Sequence, residues 1–335
     1  MSIRTRALAL VSLASALGLS ACHSSGESSD AFCGPDAPRW FDPVVLDAGP
    51  WVVWGDSHCD VWAAGSTILH WDGATWSSTS TDSVRGLWGS SPTDVWAVGD
   101  SVAILHWNGS AWSKAAVSLY GQTYLFAVGG SLESDVWAVG LLLPGRPGLY
   151  INPVILHWDG NGWSSDNEPV PISDPASVLP IQFGLYSLWS NSPLDVWTVG
   201  DGGAILHWDG TAWSAVASGT GATLSSVWGD SASDVWAVGS SGTILHWDGA
   251  GWAAVPSGTE AYLNSVWGSS ARDVFAVGDA GTILHWDGTG WSNVASGAAV
   301  TLSSVWGSSA NDVVAVGGGS VFHWDGSEWS QTSHP

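Results

Sequence analysis

The sequence predicts an all-β fold, a closed seven-bladed β-propeller of four-stranded antiparallel blades, and three observations carry that prediction. One motif recurs seven times in 335 residues, with Trp189, Trp228, Trp267 and Trp306 spaced 39 residues apart. Each copy divides into four short segments rich in Val, Ile and Trp and bounded by Gly, Ser, Asp or Asn, which is the grammar of strands. Within each copy an Asp-Gly or Asn-Gly pair stands where a tight hairpin turn needs positive backbone angles. Four antiparallel strands per unit, repeated at about 40 residues, is how a propeller reads in sequence. An open β-solenoid is the rival, but its repeats are usually shorter.

The first segment is SVWG, preceded by Leu in LxSVWG, with earlier copies placed at Trp54, Trp88 and Val128. The second is DVWAVG, opening at Asp60, Asp94, Asp135, Asp195, Asp234, Asp273 and Asp312. The third is ILHWDG or a close variant, carrying His70, His106, His157, His207, His246, His285 and His323. The fourth starts at Trp76, Trp112, Trp163, Trp213, Trp252, Trp291 and Trp329. Third- and fourth-strand tryptophans occur in every copy, so they are read as packing between blades, where one Trp buries ~150–250 Å². The second-strand Trp gives way to Phe275 and Val314 in the last two copies, so that position accepts other apolar shapes. Trp40 and Trp329 compete for the outer strand at ring closure.

Composition narrows function. Only 7 residues are Lys or Arg against 30 Asp or Glu, a formal charge of −23. Nucleic-acid binding needs a basic footprint and is disfavoured. No P-loop, dinucleotide, HExxH or GxSxG signature is present. The histidines fall one per blade and cannot converge on one ion, since a metal site needs three or four ligands together. Each is expected to hydrogen-bond within its own blade, and the strand-two aspartates to cap nearby backbone N–H groups. No metal and no cofactor is expected.

The N-terminus reads as an export segment. Arg4 and Arg6 precede a mostly apolar run from Ala7 to Leu19, shorter than the roughly 20 residues that span a bilayer. Leu19-Ser20-Ala21-Cys22 resembles the lipobox of bacterial lipoproteins, which implies lipidation of Cys22 and anchoring in the cell envelope, outer membrane or cell surface. The expected organisation is a signal peptide over 1–21, a lipid-anchored tether over 22–38 and the propeller over 39–335. Cys33 and Cys59 are an even pair in an oxidising compartment and read as a disulfide.

The order VWAVG, GTILHWDGxxW, then LxSVWG resembles tectonin repeats, and the VG ending of strand two with an aromatic-Asp pair before a Trp is similar to kelch repeats. The resemblance spans residues 49–332. Tectonin propellers are lectins, so it implies recognition of surface glycans.

Loop lengths point to one face. Turns 1–2 and 3–4 hold their lengths, apart from one residue near Gly129, and all other variation falls on the opposite face. Blade three carries about ten extra residues between Gly140 and His157, and the link from Trp163 to Trp189 is longer by about eleven. Long loops on a rigid scaffold are where function concentrates. They supply Arg146, Tyr150, Asp166, Glu168, Asp174, Phe183 and Tyr186 as candidate ligand-binding residues. The leading expectation is a monomeric, non-enzymatic module that binds a surface glycan or an envelope protein through this face and the channel mouth. An envelope scaffold or assembly factor is the second reading. A hydrolase or lyase with clustered carboxylates or Arg at the channel mouth is the third.

Overall fold

The computed structural model describes residues 52–80, 83–100, 104–117, 122–143, 152–165 and 183–331. These residues form seven four-stranded antiparallel sheets, each running in chain order from its first to its fourth strand. Every sheet draws all its strands from one copy of the repeat, so copy and blade coincide. The first strands touch in sequence round the ring, and that of blade seven, Ser304–Ser309, meets that of blade one, Val52–Ser57. The ring is closed and its inner wall is made of first strands. Among the described residues no strand is exchanged at closure: Trp329–Gln331 completes blade seven by pairing Trp329 with Trp324. Trp40 lies outside the described residues.

The letters of the motif each have a physical task. In DVWAVG the Val and Ala residues are fully buried between sheets, as in Val235, Ala237 and Val238. The Trp stacks on the His of its own blade, with ring centroids from 3.7 Å for Trp62–His70 to 4.2 Å for Trp236–His246. Its other contacts are with the next blade. Trp236 meets Trp286 at 4.9 Å and takes Trp291 edge-on at 5.4 Å and 83°. Edge-to-face pairs of this kind add about 0.5–1.5 kcal/mol beyond burial. The same three-ring arrangement follows Trp62, Trp96, Trp137, Trp197 and Phe275. Third- and fourth-strand tryptophans therefore do join neighbouring blades.

The strand-two Asp holds the His in place. Nε2 of the imidazole lies 2.5 to 2.8 Å from an Asp Oδ1 in all seven blades, His70 with Asp60 through His323 with Asp312. A Ser hydroxyl donates to the second oxygen in four of them, as Ser308 does to Asp312. Each histidine is thus occupied within its own blade. At the hairpin between strands three and four, the Asx side chain accepts backbone N–H bonds two and three residues on, as Asp209 does from Thr211 and Ala212. Gly210 follows with φ 89°, the left-handed geometry that favours glycine.

SVWG fastens the inner wall. The Ser hydroxyl accepts the N–H of the next blade's first strand: Ser187 from Val227, Ser226 from Val266, Ser265 from Val305. The Trp lies over the Gly of the following blade. A Cβ on Gly268 would stand 2.5 Å from Trp228 Cη2, and one on Gly55 would stand 2.7 Å from Trp306 Cη2. The second contact crosses the closure seam.

Blade three breaks this pattern. Gly129, not Val128, pairs with Trp137, as Trp228 pairs with Trp236, so Gly129 occupies the first-strand Trp position. With that register the 1–2 turn has the same length in all seven blades, and the one-residue exception expected near Gly129 disappears. The next blade has Ser190 where the others have Gly, and Leu188 Cδ1 fills the space above Gly129 at 2.7 Å from where a Cβ would sit.

Candidate functional site

One residue in LxSVWG has no fixed identity. In blade five, Leu224 pairs with Gly239 and Ser226 with Val238, leaving Ser225 as a bulge. The same bulge places Arg85, Phe126, Tyr186 and Asn264 in blades two, three, four and six. A bulge re-aims a side chain out of the ladder and is common beside functional sites. Because first strands line the channel, all five side chains border one cavity of ≈ 670 Å³, together with Asp201, Thr223, Tyr262 and Asp279.

The cavity is a channel mouth on a definite face. First strands begin there and second strands end there, so it shares the face with the 2–3 turns and the blade links. The extended hairpin of blade three, Asp135–Leu143 with Asn152–Trp158, reaches towards that face through the added pairs Leu141 with Pro153 and Leu142 with Asn152. The link into blade four re-enters there at Phe183 and Gly184. The described ends of both insertions therefore meet at the same rim.

The mouth is divided. One side is aromatic. Phe126 and Tyr186 stand 5.3 Å apart at 48°, and the Arg85 guanidinium lies 5.4 Å from the Phe126 centroid. Arg85 also forms a two-point pair with Asp100 at 2.6 and 3.2 Å. The other side is polar and acidic. Asp201 accepts the Tyr186 hydroxyl at 2.8 Å and the Gly184 N–H at 3.0 Å. Asp279 accepts Thr301 Oγ1 at 3.2 Å. Ser225 and Asn264 each donate to a backbone carbonyl of the next blade, Leu263 and Leu302. Burial, the bond to Asp201 and its charge push the Tyr186 phenol well above its ordinary range. Burial, then the charges of Asp201 and Asp279, raise Tyr262 as well. Both phenols stay protonated at neutral pH, and that of Tyr186 donates to Asp201.

Of the residues singled out in sequence, Tyr186 lies in this mouth. Phe183 is 2% exposed and packs with Trp137, Leu185 and Leu206 in the core between blades three and four. Arg146, Tyr150, Asp166, Glu168 and Asp174 lie outside the described residues, as do Cys22 and Cys33. Cys59 is buried in the 1–2 turn of blade one. Arg85, Phe126, Ser225, Asn264, Asp201, Tyr262 and Asp279 were not singled out. The signal that could have found the first four is the x of LxSVWG, the one inner-wall letter that changes chemistry from copy to copy; Asp201, Tyr262 and Asp279 lie outside that motif. The carboxylates and arginine that a hydrolase or lyase would require are present at the mouth, each engaged with a donor or an opposite charge. Among the described residues no group of three His, Cys, Asp or Glu side chains could hold a metal ion.

Neither a family model nor a curated protein matches the sequence. Solved structures do. The chain is similar to YCF48 bound to D1 peptide, at 15% identity and TM-score 0.60, covering 88% of this chain and 96% of that one. It is similar to YCF48 from Cyanidioschyzon merolae, at 14% identity and TM-score 0.63, covering 84% and 97%. The WD40 repeats of RRP9 match at 12% identity and TM-score 0.61, covering 84% and 92%. At these identities the likeness is one of fold, a seven-bladed β-propeller.

Proposed function

We propose that this protein is a non-enzymatic binding module that takes a segment of a partner protein into the channel mouth. The observation that carries the reading is the contrast within each blade. Motif positions that pack, cap or fasten are repeated, whereas the bulge residue aimed into the mouth runs Arg85, Phe126, Tyr186, Ser225, Asn264. A framework that repeats around a ring of unlike side chains suits recognition, because a few placed polar and aromatic groups set specificity in an otherwise preformed cleft. A neighbour of the same fold bound to a peptide supports a protein segment over a glycan. Lipidation at Cys22, a Cys33–Cys59 disulfide and attachment to the bacterial envelope complete the proposal. They would hold the propeller near a membrane, with the insertion-bearing rim as the contact face.

The test is to probe the purified full chain on peptide and glycan arrays, beside the Tyr186→Ala variant. Peptide binding that Tyr186→Ala weakens at least about tenfold supports the reading. Binding to glycans alone moves the function to a lectin, and binding to neither array overturns it.

A further inference from the structure

We infer that the segment entering the mouth carries a lysine or arginine beside an apolar side chain. This rests on the binding reading above and narrows it to a ligand class.

Charge around the cavity is unbalanced. Arg85 is the one cation among its described lining residues, and Asp100 already neutralises it at 2.6 Å. Asp201 and Asp279 have no ionic partner among the described residues. They accept bonds only from neutral groups: Tyr186, Thr223 and the Gly184 backbone on Asp201, Thr301 and Asn264 on Asp279. The second oxygen of Asp279 accepts none from the described residues. Both carboxylates line the one cavity, together with Tyr262.

The rings define what kind of cation fits. Phe126 and Tyr186 form a wall beside the acidic side, and the Phe126 ring already has a guanidinium close to it. A lysine or arginine stem can lie on such a wall while its head reaches a carboxylate, joining apolar contact, cation–π attraction and an ion pair in one side chain. A bare metal ion fits less well, because it needs several oxygens converging at about 2–2.6 Å, whereas Asp201 and Asp279 belong to blades four and six. The net charge of −23 adds a long-range term that draws basic segments in and repels acidic ones.

The experiment uses the full chain and an array of blocked hexapeptides with Lys, Arg, norleucine or Glu at each position. Norleucine keeps the stem of lysine and removes its charge. Selection of Lys or Arg peptides, with a loss of at least about tenfold on change to norleucine, is the expected result. Asp279→Asn should cost a similar factor, and raising salt from about 0.05 to about 0.5 M should weaken binding. Asp230→Asn, exposed near the end of the first strand of blade five, beside the 1–2 turn on the opposite face, should bind as the parent does. Asp201→Asn is the second variant, less clean because Asp201 also positions Tyr186. Selection of uncharged or acidic peptides whose binding is lost in Tyr186→Ala overturns this inference and leaves the binding reading standing. Equal affinity of the parent, Asp279→Asn and Asp201→Asn for a lysine peptide also overturns it. Binding of no peptide at all ends both.

Discussion

The seam between blades three and four and the seam between blades seven and one depart from the other five in opposite ways. An ordinary seam has two aromatic contacts. At the inner wall a first-strand Trp lies over the next blade's Gly, and in mid-blade a second-strand Trp or Phe is enclosed by two tryptophans of the next blade. The three–four seam keeps the mid-blade contact through Trp137, Trp208 and Trp213 but has Gly129 and Ser190 at the inner wall. The seven–one seam keeps the inner contact, Trp306 over Gly55, but has Val314 in mid-blade, packed with Val53, Val61 and Trp71. One contact of the pair is enough to hold a seam, and its loss is matched by changes on the other side. Where the Trp becomes Gly129, the facing Gly is free to become Ser190.

The largest test of this comparison is truncation in mid-blade. Trp236→Ala should cost about 3–5 kcal/mol in urea unfolding. Val314→Ala at the closure seam should cost less, about 2 kcal/mol for the methyl groups lost and the cavity left. Equal losses would mean that the closure seam depends on its mid-blade contact as much as the rest do. Next comes crowding at the inner wall. Gly268→Ala forces a methyl against Trp228 and should cost about 1–3 kcal/mol, while Ser190→Ala, with no Trp behind it, should change stability by less than about 0.5 kcal/mol.

A smaller effect separates coupling from coincidence. Gly129→Trp should destabilise in the parent but much less with Ser190→Gly, a coupling within the range of about 0.5–3 kcal/mol seen for residues in contact. Additive effects would show that the two departures are unrelated. The smallest effect is acid sensitivity. Burial alone would raise the Asp312 carboxyl, but His323 and Ser308 outweigh it and hold it below its ordinary 3.8; Asp135 is held down in the same way by His157 and Ser131. In the exposed hairpin turns, Asp209 and Asp325 are drawn down to about 2, Asp209 mainly by Thr211 and Asp325 mainly by the Glu328 N–H. Carboxyls depressed by folding stabilise above their unfolded pKa and lose that contribution as pH falls through the folded value. Unfolding midpoints should therefore hold from pH 7 to about 4 and decline below it. A decline already complete at pH 5 would contradict this origin.

The repeated letters made the fold legible. Period, Asx-Gly turns and the spacing of DVW to HW fix strand order, because each strand is short and its alternation is plain. The face of the insertions was legible too, since antiparallel order assigns every turn to one side. The inner-wall site was not. A bulge leaves no mark in a strand pattern, and x in LxSVWG looks like noise until the ladder shows that its side chain points into the channel. Phe183 misled for the converse reason: it sits at the end of a long, polar loop, yet its ring is packed between two blades. Register at Gly129 was missed because Val128 keeps the apolar pattern while the Trp it was aligned with has gone.

On the proposed reading the blades are framework and the bulge ring is the recognition surface. Replacing Arg85, Phe126 and Tyr186 together by serine, the residue that blade five already carries at this position, separates the two. The thermal midpoint should stay within about 5 °C of the parent, and binding on the peptide array should be lost. Peptide binding that survives the triple change would place recognition elsewhere on the propeller.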